Sequence, residues 1–118
     1  MQEGKRQKQV AGLINEELTL IFQKLGLSMI DGALVSISSV KITPDLLEVR
    51  VYLSLFQAKD PQQVLHKIEE KASVIKRELS ARVKHQLRRM PELKYFIDDT
   101  LEQVFRIEEL FKKIKDQE

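Results

Sequence analysis

The chain is most informative at residues 34–55, which read LVSISSVKITPDLLEVRVYLSL. Over residues 47–55 every second side chain is apolar, and those between are charged, hydroxylated or a tyrosine. This alternation predicts a half-buried β-strand. Residues 34–42 are rich in Val, Ile and Ser and predict a strand that precedes it. Because only a short connection with the turn signal Thr43-Pro44-Asp45 separates the two strands, they are expected to form an antiparallel hairpin.

The first strand of this hairpin has an irregular phase. Val35 and Ile37 fall on one parity, whereas Val40 and Ile42 fall on the other. A β-bulge near Ser38–Ser39 would bring both pairs to one face of the sheet, unless both faces of the strand are partly covered. On the polar side of the second strand, Tyr52 could stack on a nucleobase or pack on the protein surface.

Helical periodicity flanks the hairpin on both sides. Apolar residues at helical spacing from Val10 to Leu25 predict a first helix that ends at Gly26. After the hairpin, Asp60-Pro61 combines an N-cap residue with a proline suited to the first helical position. The periodicity then continues to Leu87, a length of about 40 Å at 1.5 Å per residue, which exceeds the diameter of a small domain. A break is therefore expected, and Ala72-Ser73 is the weakest helix-forming site.

A third strand and a last helix complete the predicted fold. Pro91 closes the helical region, and the alternation of Leu93, Tyr95 and Ile97 predicts a short strand that pairs in parallel through a right-handed crossover. A helix over residues 101–114 is expected to follow, with a frayed tail at 115–118. The order αββααβα predicts one α+β domain over residues 1–118, with helices on one face of a three-stranded sheet.

Composition excludes several kinds of chemistry. The chain has no Cys, two His and four Gly, which leaves no thiolate site, no zinc-site spacing and no phosphate-binding glycine loop. We expect no enzyme activity, no cofactor, no metal and no small-molecule substrate. No apolar run approaches the roughly 18 residues that span a bilayer, and residues 1–10 lack the apolar core of a secretory signal. A cytoplasmic protein without a membrane partner is therefore expected.

Positive charge is concentrated in one short segment. Residues 76–89 hold six basic residues against one acidic residue, on a chain whose net charge is +2. Such a patch is typical of nucleic-acid binders, although a solvated helix face gives the same pattern. The candidate RNA-binding residues are Lys76, Arg77, Arg82, Lys84, Arg88 and Arg89 on the predicted third helix, with Lys5, Arg6 and Lys8 near the N-terminus. Among them Arg77, Lys84 and Arg88 are predicted to form the most coherent line.

Two stretches of the sequence carry a resemblance to a known family. Residues 42–54 read ITPDLLEVRVYLS, and residues 87–100 read LRRMPELKYFIDDT. Both resemble signatures of the ribosome-binding factor A family, and the closing Ile107-Glu108-Glu109-Leu110 also fits. The match covers essentially the whole chain, with the signatures in the family's order.

The resemblance implies a type II KH-like fold, αββααβ plus a C-terminal helix, in agreement with the order predicted above. In this family a helix–helix kink, commonly Ala-x-Gly, replaces the GxxG loop of ordinary KH domains. The matching residues are Ala72, Ser73 and Val74, so that valine stands at the position where glycine is common.

The function implied by the resemblance is that of a bacterial assembly factor associated with cold adaptation. Such a factor binds free or immature 30S subunits, assists late 30S assembly and 16S rRNA 5′-end maturation, and dissociates before translation. A ribosome-assembly GTPase acting in release would be a further partner, and nothing in the sequence demands more than a monomer. Two other hypotheses stay open, namely a KH-like module for another structured RNA and a protein-interaction domain with no RNA role.

Overall fold

The fold is described by a computed structural model over residues 4–87 and 89–98. The predicted last helix and the tail 115–118 lie outside the described residues, as does Arg88. In chain order the elements are α1 (Lys5–Lys24), β1 (Met29–Ile30), β2 (Ala33–Ile42), β3 (Glu48–Phe56), α2 (Pro61–Glu70), α3 (Ala72–Val83) and β4 (Glu92–Ile97).

The described strands form one sheet in the order β1-β2-β3-β4. Strands β2 and β3 pair antiparallel, and β4 pairs parallel to β3, which confirms the predicted hairpin and the predicted parallel pairing. The prediction of three strands was wrong by one, because the two-residue strand β1 pairs antiparallel with the start of β2. Its turn consists of Asp31 and Gly32, both at positive φ (52° and 80°). An Asp-Gly pair favours this tight hairpin geometry, so the missed strand had a signal in the sequence.

A bulge in β2 corrects the phase of its apolar residues. The register against β3 shifts between Ile37 and Ser39, so Ser38 is the extra residue, as predicted. Val40 and Ile42 thereby return to the buried face that Val35 occupies.

The ends of the first two helices follow the predicted signals. Helix α1 stops just before Gly26, which adopts φ +72°, and the Leu27 N–H bonds back to the Phe22 carbonyl at 2.8 Å. Helix α2 begins after Asp60, whose carboxylate accepts the Gln63 N–H at 3.2 Å.

The break between α2 and α3 falls at Lys71, one residue before the predicted Ala72, Ser73 and Val74, which instead form the first turn of α3. The Lys71 N–H bonds to the Ile68 carbonyl at 2.9 Å, a tight bond that ends α2, while the Lys71 carbonyl accepts the first bond of α3. Lys71 has φ −95° and ψ 8°, a conformation open to residues with a side chain. The break therefore requires no glycine.

Helix α3 ends at Val83, earlier than the periodicity to Leu87 predicted. Residues 84–86 form a turn in which the N–H groups of Gln86 and Leu87 both bond to the Val83 carbonyl. Beyond this turn the chain runs to β4, where Glu92 pairs beside β3, and Pro91 disfavours helix at the residue before it. The basic segment 76–89 is therefore not a single helix face.

One core lies between the helices and one face of the sheet. Val49, Val51 and Leu53 of β3 are fully buried there, together with Ile14 of α1 and Ile75 of α3. The predicted placement of helices on one face is confirmed. The other face of the sheet carries the polar side chains of β2, β3 and β4 together with Tyr52 and Phe96.

Candidate nucleic-acid interface

Three segments that are distant in sequence meet at one end of the domain. The start of α1 is fixed to the end of β2, because the Gln7 side-chain amide donates to the Ile42 carbonyl at 3.0 Å. The start of α1 also reaches the turn after α3, where the Arg6 guanidinium donates to the Gln86 carbonyl at 3.0 Å. These bonds bring the basic N-terminal residues next to the end of the basic segment 76–89.

An open groove of about 520 Å³ lies between these segments. We call it the basic groove; it is lined by Arg6, Asp45, Leu46, Leu47, Lys84, His85, Gln86, Leu87 and Arg89. Three of its lining residues, Arg6, Lys84 and Arg89, are candidates from the sequence. The β2–β3 turn supplies Asp45, Leu46 and Leu47.

The carboxylate of Asp45 is occupied by its own turn. It accepts the Thr43 hydroxyl at 2.6 Å and the Leu47 N–H at 3.0 Å. These two hydrogen bonds lower the pKa of Asp45 below its usual value, the Thr43 bond contributing most. The groove therefore contains three basic side chains and one carboxylate, and that carboxylate is engaged by its own turn. An anion would meet a net positive charge there.

Two acidic residues of the helices pair with basic groups at the contact between α1 and α3. Arg82 of α3 donates to Glu17 of α1 at 3.0 Å, and Lys24 of α1 bonds to Glu78 of α3 at 3.0 Å. The Lys24 ammonium holds the pKa of Glu78 below its usual range. Arg82 is thus directed to α1, away from the other candidates on α3.

The remaining candidates lie outside these ion pairs. Within residues 4–87 and 89–98, no ion pair involves Arg6, Lys84 or Arg89. All three are exposed. Lys84 and Arg89 are therefore available to a phosphate without first breaking an ion pair, and Arg6 retains the guanidinium N–H groups that do not bond to the Gln86 carbonyl.

The other candidates extend the positive surface away from the groove. Lys5 and Lys8 are exposed on the first turns of α1. Lys76 and Arg77 are exposed on α3, and Arg77 lies on the same side of the helix as Lys84, about 10 Å back along its axis. The structure does not describe Arg88.

Sequence reasoning missed the other walls of the groove. Leu46, Leu47 and His85 line it without having been candidates. The only signal was indirect, since Thr43-Pro44-Asp45 predicted a turn, but nothing local showed that this turn faces the end of α3. Within the described residues there is also no cluster of three or more acidic or histidine side chains placed to hold a metal. None of the described helices combines the length and apolarity needed to cross a bilayer.

The sheet topology, the broken helix pair and the basic groove define a small α+β domain of the KH-like class. The chain belongs to the ribosome-binding factor A family: the family model of that description matches residues 6–111. It is 40% identical over 117 residues to ribosome-binding factor A of Christiangramia forsetii, covering 98% of this chain and 89% of that one. It is 38% identical over 112 residues to the protein of the same name from Chlorobaculum tepidum, covering 93% and 91%.

Solved structures share the fold at lower sequence identity. The crystal structure of ribosome-binding factor A from Thermus thermophilus aligns with a TM-score of 0.66 at 20% identity, over 80% of this chain and 97% of that one. A Thermus thermophilus homology model, fitted into a cryo-EM map of a 30S–RbfA complex, aligns with a TM-score of 0.59 at 19% identity, over 75% and 90%.

Proposed function

We propose that this chain binds free or immature 30S ribosomal subunits and contacts 16S rRNA through the basic groove. The observation that carries the proposal is the convergence of Arg6, Lys84 and Arg89, from two ends of the sequence, on one groove outside any described ion pair. Family membership supports the choice of target, because a Thermus thermophilus relative has been fitted into a 30S complex. Long basic side chains around an open groove are better suited to contacting the phosphates and recognising the shape of RNA than to recognising particular bases.

The proposal extends to the role of the binding. The protein assists late 30S assembly and the maturation of the 5′ end of 16S rRNA, and it dissociates before translation. It acts in the cytoplasm as a cofactor-free monomer without catalytic activity, and a ribosome-assembly GTPase takes part in its release. The resemblance of residues 42–54 and 87–100 to the family's signatures supports these finer points, and the Cys-free composition with two His agrees with a role in binding.

A co-sedimentation assay with purified small subunits tests the proposal. The variant Lys84→Glu/Arg89→Glu reverses two charges of the groove and is expected to lose co-sedimentation, because both side chains would repel phosphate. The matched control is Lys59→Glu/Lys71→Glu, which makes the same change in net charge. Lys59 follows the far end of β3 and Lys71 precedes α3, so both exposed residues lie away from the groove.

The outcomes separate the three hypotheses. Retention of binding by the groove variant, or an equal loss in the control, contradicts the proposed interface. If RNA recovered with the protein from cells is mainly non-ribosomal, a KH-like module for another structured RNA is favoured. If a protein partner binds independently of salt and equally well to both variants, the domain is a protein-interaction module.

A further inference from the structure

The face of the sheet opposite the helices carries a stacked pair of aromatic rings. Tyr52 of β3 and Phe96 of β4 are register partners, and their ring centroids lie 5.5 Å apart at an interplanar angle of 26°. Phe96 is 40% exposed, one of the most exposed large apolar residues described. The pair therefore presents aromatic surface to solvent, where leaving it uncovered carries a hydrophobic cost.

Basic side chains form the neighbouring row on the same face. Lys41, Arg50 and Lys94 are aligned across β2, β3 and β4, two residues from Tyr52 and Phe96, a separation of roughly 7 Å along the strands. The Lys41 ammonium lies 6.0 Å from the centroid of the Tyr52 ring. This arrangement is at the limit of a cation–π contact.

The acidic groups of this face lie at its two ends. Glu48 bonds to Arg50 at 2.8 Å and to Lys94 at 2.7 Å, and these two partners, Lys94 first, hold its pKa below the usual range. Glu92 is the register partner of Glu48, and beyond the rings Asp98 accepts the Ser38 hydroxyl at 2.5 Å. Next to the rings, Arg50 and Lys94 thus share one carboxylate, and within the described residues no ion pair involves Lys41.

We propose that this face, the sheet platform, binds single-stranded RNA by stacking an unpaired nucleobase on Phe96 and Tyr52. The phosphate on one side of that base is held by the basic row, Lys41, Arg50 and Lys94. A nucleotide combines the two features that this face matches, a planar ring and an adjacent negative charge. An acidic peptide would satisfy the basic row but would leave the rings exposed. Duplex RNA offers no free base face, so the platform discriminates in favour of unpaired segments.

The platform is a second surface, on a different side of the domain from the basic groove, and the inference goes beyond the proposed function. The two are independent, because single-strand binding here requires neither Lys84 nor Arg89. If both proposals hold, the domain binds phosphates of structured RNA in the basic groove and an unpaired RNA segment on the sheet platform.

Fluorescence anisotropy with a labelled ten-nucleotide oligoadenylate tests the inference, and a ten-base-pair RNA duplex serves as the comparison probe. Phe96→Ala and Tyr52→Ala should each weaken oligoadenylate binding about five- to hundredfold, the range measured when a stacking partner of one base is removed. Tyr52→Phe keeps the ring and should bind within about twofold of the unmodified chain. The matched control is Leu20→Ala, which removes an exposed apolar side chain from α1, 49% exposed against 40% for Phe96.

Binding of the duplex should change little in these variants, because its bases are already stacked. Equal oligoadenylate affinity in Phe96→Ala, Tyr52→Ala and the unmodified chain would overturn the inference. A matching loss in Leu20→Ala, or an equal loss of duplex binding in the two ring variants, would do so as well. If Phe96→Ala lowers the helical circular dichroism signal, Lys41→Glu tests the phosphate contact of the platform instead, because Lys41 is exposed, and unchanged oligoadenylate affinity in that variant would overturn the inference.

The failure of each proposal is recognisable. If Phe96→Ala loses the oligoadenylate while Lys84→Glu/Arg89→Glu loses only the small subunit, both surfaces act as proposed. If the groove variant and its control both still bind the small subunit, the proposed role of the basic groove is contradicted. The oligoadenylate titration would still support the sheet platform, because it tests that surface alone.

Discussion

The salt dependence of small-subunit binding gives a quantitative test of the basic groove. Lys84 and Arg89 are exposed and form no ion pair within the described residues, so each is free to contact one phosphate. Each phosphate contact contributes about 0.9 to the slope of log K against log salt, because it releases condensed counterions. The variant Lys84→Ala/Arg89→Ala should therefore have a slope that is shallower by about 1.8.

The same dependence of log K on log salt also predicts how much affinity for the small subunit the groove variant loses. With the two contacts removed, binding at 0.1 M salt should weaken about 60-fold, and the difference should shrink steadily as salt approaches 1 M. The measurement is a titration of labelled protein with purified small subunits from about 0.05 to 0.2 M salt, at fixed magnesium.

Arg82→Ala provides the internal comparison. Arg82 belongs to the same basic segment, but its guanidinium already bonds to Glu17 at 3.0 Å, so its removal should leave the slope nearly unchanged. The reasoning is refuted if Arg82→Ala flattens the slope as much as the groove variant does. It is also refuted if the groove variant binds more weakly with an unaltered slope, since the lost contact would then not be to phosphate.

Three further predictions concern the fold. Gly26→Ala should destabilise the domain by about 1 kcal/mol in urea unfolding, because residue 26 has φ +72°, although an added Cβ would meet nothing within 4 Å. The matched control Gly12→Ala lies inside α1, is equally unobstructed and should instead stabilise the domain by about 0.5–1 kcal/mol. Equal effects of the two substitutions would contradict this explanation. Ile75→Ala should lower the free energy of unfolding by about 2–5 kcal/mol, since Ile75 of α3 is fully buried in the core; a loss below about 1 kcal/mol would exclude Ile75 from the core. Glu48→Gln should lower stability at neutral pH and lose its effect in acid. Because Lys94 and Arg50 depress the pKa of Glu48, the carboxylate's contribution is present above the unfolded value near 4.5 and fades as pH falls through the lower folded value. A difference between Glu48→Gln and the unmodified chain that grows toward low pH would show the sign to be wrong.

The elements that local signals specify could be predicted from the sequence. The alternation over residues 47–55 predicted β3, and the change of parity in β2 indicated a bulge near Ser38–Ser39, where the structure makes Ser38 the extra residue. Gly26 and Asp60 marked helix ends because each satisfies backbone groups that a helix leaves unpaired. These features depend on residues only a few positions apart in the chain, so the sequence alone is enough to predict them.

The features that depend on distant partners could not be predicted in the same way. Lys71 ends α2 through one tight backbone bond and carries no breaker signal, so the break was placed one residue too late. Helix α3 stops at Val83 although the next glycine or proline is Pro91, so no residue near position 83 marked this end, and the chain runs from there to Glu92 beside β3. The position of Leu46 and Leu47 opposite Lys84 in the groove depends on how α1, α3 and the β2–β3 turn pack.

Charge arithmetic identified the basic segment 76–89 but could not say which of its members are paired. Arg82 and Lys84 are two residues apart and of the same charge, yet Arg82 faces Glu17 of α1 whereas Lys84 faces the groove. On a helix such neighbours point about 200° apart, and the partner on the other helix decides which one is neutralised.

The most direct test of the account is a sucrose-gradient profile of cell lysate probed for this protein. We expect the unmodified chain to migrate with free small subunits and not with assembled ribosomes, and the variant Lys84→Glu/Arg89→Glu to remain at the top of the gradient with other free proteins. The account is contradicted if the unmodified chain stays at the top of the gradient, or if the groove variant still migrates with the small subunit.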